Sequence, residues 1–137
     1  MNGLTEVRLI WLAGAIQVGI VVVNGILPQR LAVRQKLAEV PTFLRQIVYV
    51  HWMYIVLGVG FFGSLCFGFA HELAGGSSLG RFLSAFMGAF WLLRAVLQLF
   101  YYDKDLRRAN RGLDALYLAS LLTLSFIFGW AVFAPAA

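Results

Sequence analysis

Four apolar runs, each about as long as a bilayer is thick, constrain this chain more than any other feature. A helix rises 1.5 Å per residue, so about twenty residues cross a hydrocarbon core of roughly 30 Å. Runs of that kind occupy approximately 7–27, 43–70, 79–102 and 113–133, and the stretches between them carry most of the charge. The residues are 61% hydrophobic and only 12% charged, with a mean hydropathy of +0.82. A soluble domain of 137 residues must cover its core with more polar surface than that. The expected fold is therefore all-α: one integral-membrane domain spanning residues 1–137, with four transmembrane helices in an antiparallel bundle. The first run exceeds the roughly 7 to 15 apolar residues of a signal-peptide core and contains Gln17 and Asn24, so it is read as a retained helix.

The connecting segments set an expected orientation. Of eleven basic side chains, eight lie in the links joining spans one to two and three to four: Arg30, Arg34, Lys36, Arg45, Lys104, Arg107, Arg108 and Arg111. Arg8 and Arg81 lie on the other side, and Arg94 is inside a span. By the positive-inside tendency, both termini are expected on the non-cytoplasmic side of what we take as a bacterial inner membrane. The link after Pro28 alternates Arg30, Arg34, Lys36 and Arg45 with Leu31, Val33, Leu37 and Val40, a basic interfacial connection suited to anionic lipids. A pI near 9.9 is accounted for in this way, and nucleic acid is not an expected partner.

Arg94 is the costliest residue of the sequence. An arginine at the centre of a bilayer costs roughly 2.5–3.5 kcal/mol on insertion scales, so it faces protein or water and takes a partner. Asp114, opening the next span, is the nearest acidic candidate outside the loop. Arg94, Gln98 and Tyr101 fall on one stripe, Asp114 and Tyr117 share a first turn, and Gln17 and Asn24 share a face of span one. His51 and Tyr54 open span two. If the orientation holds, these nine residues meet in a polar pocket in the cytoplasmic half of the bundle, serving either as a structural cluster or as a site for a lipid, quinone or pigment. The pair Asp103 and Asp105, flanked by Lys104, Arg107 and Arg108, reads as a solvated, internally neutralised turn.

Two rows of small residues recur every four positions: Gly60, Ser64 and Gly68 in span two, and Gly80, Ser84 and Gly88 in span three. Such rows let helix backbones approach closely in lipid, and an antiparallel hairpin of spans two and three would bring them together.

Several chemistries are disfavoured. One cysteine, Cys66, cannot form an internal disulfide. No HExxH, P-loop or glycine-rich nucleotide motif is present. A bis-histidine haem within the chain is excluded because His71 lies twenty residues beyond His51 on the same span, about 30 Å away. His51 as the single axial ligand of a chlorophyll-type pigment stays open, and no other metal site is expected; His71 with Glu72 is too sparse.

The leading expectation is a small non-catalytic subunit that packs with other integral-membrane subunits, or with itself, in a larger assembly. An oligomeric transporter or channel is the alternative, weakened by the lack of an acidic residue inside a span. A membrane enzyme acting on a lipid or quinone, with His51 as general base and Arg94 as anion holder, is a third class.

Overall fold

The computed structural model describes residues 3–102 and 104–135, and among them the chain is helical throughout apart from short turns. The elements are α1 (Gly3–Arg30), α2 (Val33–Leu37), α3 (Thr42–Gly68), α4 (Ala70–Ala74), α5 (Ser78–Phe100), α6 (Lys104–Ala109) and α7 (Arg111–Val132). Four of these, α1, α3, α5 and α7, are long and apolar enough to cross a membrane. The protein therefore belongs to the integral-membrane class.

Local signals explain some of the helix ends. The Ser77 Oγ accepts the Gly80 amide at 3.1 Å, capping the start of α5 and satisfying one of the amides a helix leaves open there. The helix α3 starts at Thr42 behind Pro41, without a side-chain cap from Thr42. Gly80 sits against the Glu72 carbonyl so closely that any Cβ would collide with it, which makes the α4–α5 turn dependent on glycine. Ala32 turns the chain out of α1 with φ at 52°, the left-handed conformation that L residues avoid. Glu6, in the first turn of α1, is buried at the positive end of that helix.

The first span does not stop at Pro28, as its sequence implies, but continues to Arg30. Proline has no amide hydrogen, so the carbonyl four residues earlier, that of Asn24, loses its helical donor. The Trp52 indole N–H of α3 donates to that same oxygen at 3.2 Å. The gap in the α1 ladder is thus filled from a neighbouring helix, and the last turn survives.

The long helices associate as α1 with α3 and α5 with α7, with α1 also touching α4 and α7, and α4 touching α5. Hydrogen bonds give the directions. Gln17 reaches Cys66 and Asn24 meets Trp52, so α1 and α3 run oppositely. Arg81 at the start of α5 donates to the Ala134 carbonyl beyond α7, while Gln98 near the end of α5 reaches Asp114 in the first turn of α7, so these two also run oppositely. The shared core holds Ile10, Cys66, Leu73, Trp91, Leu121 and Phe128.

The two rows of small residues do not meet. The row on α5 is absorbed elsewhere: a Cβ at Gly88 would lie 3.4 Å from the Gly129 nitrogen and the Phe128 Cβ of α7, Ser84 is fully buried, and Gly80 faces α4. On α3 a Cβ at Gly60 or Gly68 would find nothing within 4 Å, and Ser64 is exposed with its hydroxyl donated to the Gly60 carbonyl at 2.9 Å. Between α3 and α5 stands Phe62, edge-on to Phe86 and Phe90 with centroids 6.1 and 5.2 Å away. Rings of that size hold the two backbones apart. The close approach of α3 is made instead by Gly63, whose Cβ would lie 3.7 Å from the Gly14 carbonyl of α1.

Candidate functional site

The guanidinium of Arg94 is half-buried near the end of α5, and three groups define its surroundings. Its Nη1 donates to the Gln98 Oε1 one turn later at 3.2 Å. The rings of Tyr102 and Tyr117 lie against it with centroids 4.8 and 5.3 Å from Cζ. An aromatic face attracts a cation through its quadrupole, more strongly where water is excluded, so the two rings shelter the charge inside the span.

Gln98 passes the contact on. It is buried, and its Nε2 donates to Asp114 Oδ1 at 2.7 Å. Asp114 is also held in a two-point grip by Arg107, from Nε to Oδ1 at 2.9 Å and from Nη2 to Oδ2 at 3.0 Å. Arg107 completes the clamp by donating Nη1 to the Leu99 carbonyl at 3.2 Å, an oxygen in the last turn of α5. The carboxylate's hydrogen bonds raise the Arg107 guanidinium further above its ordinary range, partly opposed by desolvation, so it stays charged at any working pH. The chain Arg94–Gln98–Asp114–Arg107 therefore ties the end of α5 to the start of α7.

Three details depart from the sequence reading. Asp114 is not the direct partner of Arg94; its carboxylate faces Arg107 and Gln98, and Gln98 connects the two. Tyr101 does not share the Arg94 stripe. The helix ends at Phe100, Tyr101 is 80% exposed, and the terminal turn, with the Tyr102 amide on the Leu97 carbonyl at 3.2 Å, brings Tyr102 over the guanidinium instead. Arg107 is not simply part of a solvated turn. It reaches Asp114, seven residues on, across the break between α6 and α7 at Asn110, which helical register does not bridge; Asp103 lies outside the described residues.

The remaining members of the expected pocket stand apart from this chain of contacts. His51 is exposed on α3, with Nδ1 2.9 Å from the Ile47 carbonyl of its own helix, and Tyr54 is 66% exposed. Neither shares a hydrogen bond with Arg94 among the described residues. Gln17 is fully buried between α1 and α3, where Nε2 donates to the Ala13 carbonyl at 3.2 Å and to Cys66 Sγ at 3.3 Å while Oε1 has no partner. Asn24 is half-buried and donates to the Ile20 carbonyl at 2.8 Å. The nine residues thus resolve into Arg94, Gln98, Asp114 and Tyr117, which are joined, and Gln17, Asn24, His51, Tyr54 and Tyr101, which are not. No group of three or more histidine, cysteine or acidic side chains gathers among the described residues.

Chemically, the joined group is a structural tie: Arg107 neutralises Asp114, and Arg94 keeps its charge beneath the Tyr102 and Tyr117 rings. A base and an anion holder facing one reacting atom would need His51 and Arg94 to converge, and they hold to separate neighbours. No protein-family model, curated protein or solved structure matches the chain.

Proposed function

We propose that the protein is a small, non-catalytic integral-membrane subunit that packs into a larger membrane assembly through the outward face of α3. The observation that carries this reading is the unused row on that helix. Tyr54, Leu57, Phe61, Ser64 and Gly68 follow spacings of three, four, three and four, so they share one face, and all five are exposed. Gly60 adjoins this face with open space where a Cβ would be. A face that combines aromatic and aliphatic side chains with small residues fits a second helix closely, and in lipid such packing is the main source of helix association. Within the chain α3 buries only Val59, Gly63 and Cys66, all on the side toward α1.

The tie at Arg94 supports the same reading. Its charge is sheltered by Tyr102, Tyr117 and Gln98, the arrangement expected of a group that fixes helix ends and not of one that waits for a substrate. In this account the four spans form an antiparallel bundle in a bacterial inner membrane, with both termini on the non-cytoplasmic side and the basic link at the cytoplasmic headgroups.

Gentle solubilisation of native membranes tests the proposal. The chain is expected to migrate with a larger assembly, and Gly60→Leu with Gly68→Leu is expected to release it as a free, folded chain. Wild-type protein that runs only as a single free chain would contradict the reading.

A further inference from the structure

Two cavities on the opposite face of α3 share residues and differ in chemistry. An open groove of about 690 Å³ between the end of α1, the link and the start of α3 is lined by Leu27, Pro28, Leu31, Val33, Val48 and Trp52, among others, and so is mainly apolar. Beside it lies a smaller recess of about 400 Å³ lined by Arg34, Ala38, Arg45 and Tyr49. Arg34 and Tyr49 border both. The two adjoin across Arg34 and Tyr49, so an apolar slot stands next to a cationic mouth.

We infer that this feature is a binding site for one anionic phospholipid, with Arg34 and Arg45 on the phosphate and an acyl chain in the slot beside Trp52. Two observations support it, joined by one chemical rule. Neither arginine is paired with a carboxylate among the described residues, although both border the same recess. Guanidinium groups match a phosphate through paired N–H donors, so two of them over one recess select an anionic headgroup. The slot is held open by the backbone: Pro28 removes an amide from the last turn of α1, Ala32 turns the link away at positive φ, and Trp52 fastens α3 to the freed Asn24 carbonyl. A headgroup and a chain leaving it at one end fit a charged mouth on an apolar slot, whereas a soluble anion would use the mouth alone.

The site does not depend on the proposed subunit role. Arg45, Val48 and Trp52 follow spacings of three and four that lead to Val59 and Gly63, the face toward α1, whereas the proposed docking row lies on the other side of α3. Loss of lipid binding and loss of assembly are therefore separable outcomes.

The test uses the full chain in phosphatidylcholine vesicles containing a minor share of phosphatidylglycerol with brominated acyl chains, which quench nearby tryptophan. The Trp52 contribution is obtained as the difference from Trp52→Phe. Brominated phosphatidylglycerol is expected to quench Trp52 at a share where brominated phosphatidylcholine does not. A basic side chain near a membrane surface contributes about a fivefold preference for anionic lipid, so Arg34→Gln with Arg45→Gln should weaken the preference for phosphatidylglycerol over phosphatidylcholine about twenty-five-fold. Arg34→Lys with Arg45→Lys, which keeps the charge and loses the paired donors, should fall between wild type and the neutral pair and shows that the chain still folds. Arg30→Gln with Lys36→Gln, on the same link but outside the recess, should shift the curve clearly less, by the general surface attraction alone. Equal quenching by the two lipids, or an equal shift from both neutralising pairs, would overturn the inference. So would displacement by soluble glycerol phosphate alone, which would assign the arginines to a free anion. Absence of quenching by either lipid would mean that protein or a second copy fills the slot, and would overturn it as well.

Discussion

The α5–α7 pair and the α3 helix are built from similar material and put to opposite uses. Both helices α3 and α5 carry glycine and serine every four residues, and both are apolar along their length. On α5 the row is consumed, since Gly88 lies against Phe128 and Gly129, Ser84 is buried, and the far end is bolted to α7 by Gln98, Asp114 and Arg107. On α3 the row faces outward, and the buried residues Val59, Gly63 and Cys66 lie on the other side, toward α1. A small-residue spacing therefore announces that a helix can be approached closely, and the flanking side chains decide what approaches it. Here Phe62 with Phe86 and Phe90 keeps α3 off α5, and Gly63 with Gly14 brings α3 onto α1.

The strongest way to break this contrast is to fill one glycine in each row. Gly88→Leu inserts a branched side chain where a bare Cβ is already in contact, and it should destabilise the fold by about 1–3 kcal/mol in reversible unfolding from mild detergent. Gly60→Leu enters open space and should stay within about 0.5 kcal/mol of wild type while weakening assembly. Equal losses at the two positions would show that the rows are not used differently.

The polar tie offers a smaller effect. Gln98→Leu removes both the donor to Asp114 and the acceptor from Arg94 at nearly constant volume, and should lower stability by about 1–2 kcal/mol in the same assay. If the change proves neutral, the four-residue chain does not fasten α5 to α7.

The α1–α3 side gives a finer test. Trp52→Phe deletes one interhelical hydrogen bond and should cost about 0.6 kcal/mol, the average for such bonds within membranes. Pro28→Ala supplies the missing helical amide to Asn24, so in that background Trp52→Phe should cost less, and a double-mutant cycle reads the difference. Additive effects would mean that Trp52 does not compensate for the proline. Smallest of all, His51→Gln should change stability by less than about 0.5 kcal/mol, because the imidazole is exposed and its one bond is to its own helix. A larger loss would reveal a partner or ligand on that imidazole.

The four long apolar helices were legible in the sequence because span length and hydropathy are properties of a segment on its own. Helix pairing was not, since it depends on which of several compatible faces meet; the rings of Phe62, Phe86 and Phe90 decide it through shape that spacing does not encode. The grouping of Arg94 with Gln98, Asp114 and Tyr117 followed from helical register and the expense of charge in a span. Tyr102 and Arg107 were hidden because both act from beyond a helix end, where the 3.6-residue period no longer holds. His51 and Tyr54 were drawn into the pocket by depth alone, and equal depth does not oblige side chains to face each other.

The direct test of the central claim, that the outward face of α3 meets protein in the membrane, is photo-crosslinking from a benzophenone side chain at Phe61 in intact native membranes. The account predicts a discrete heavier adduct containing this chain, abolished by Gly60→Leu with Gly68→Leu while the chain remains folded. Labelling of lipid alone, with no discrete protein adduct, would contradict it.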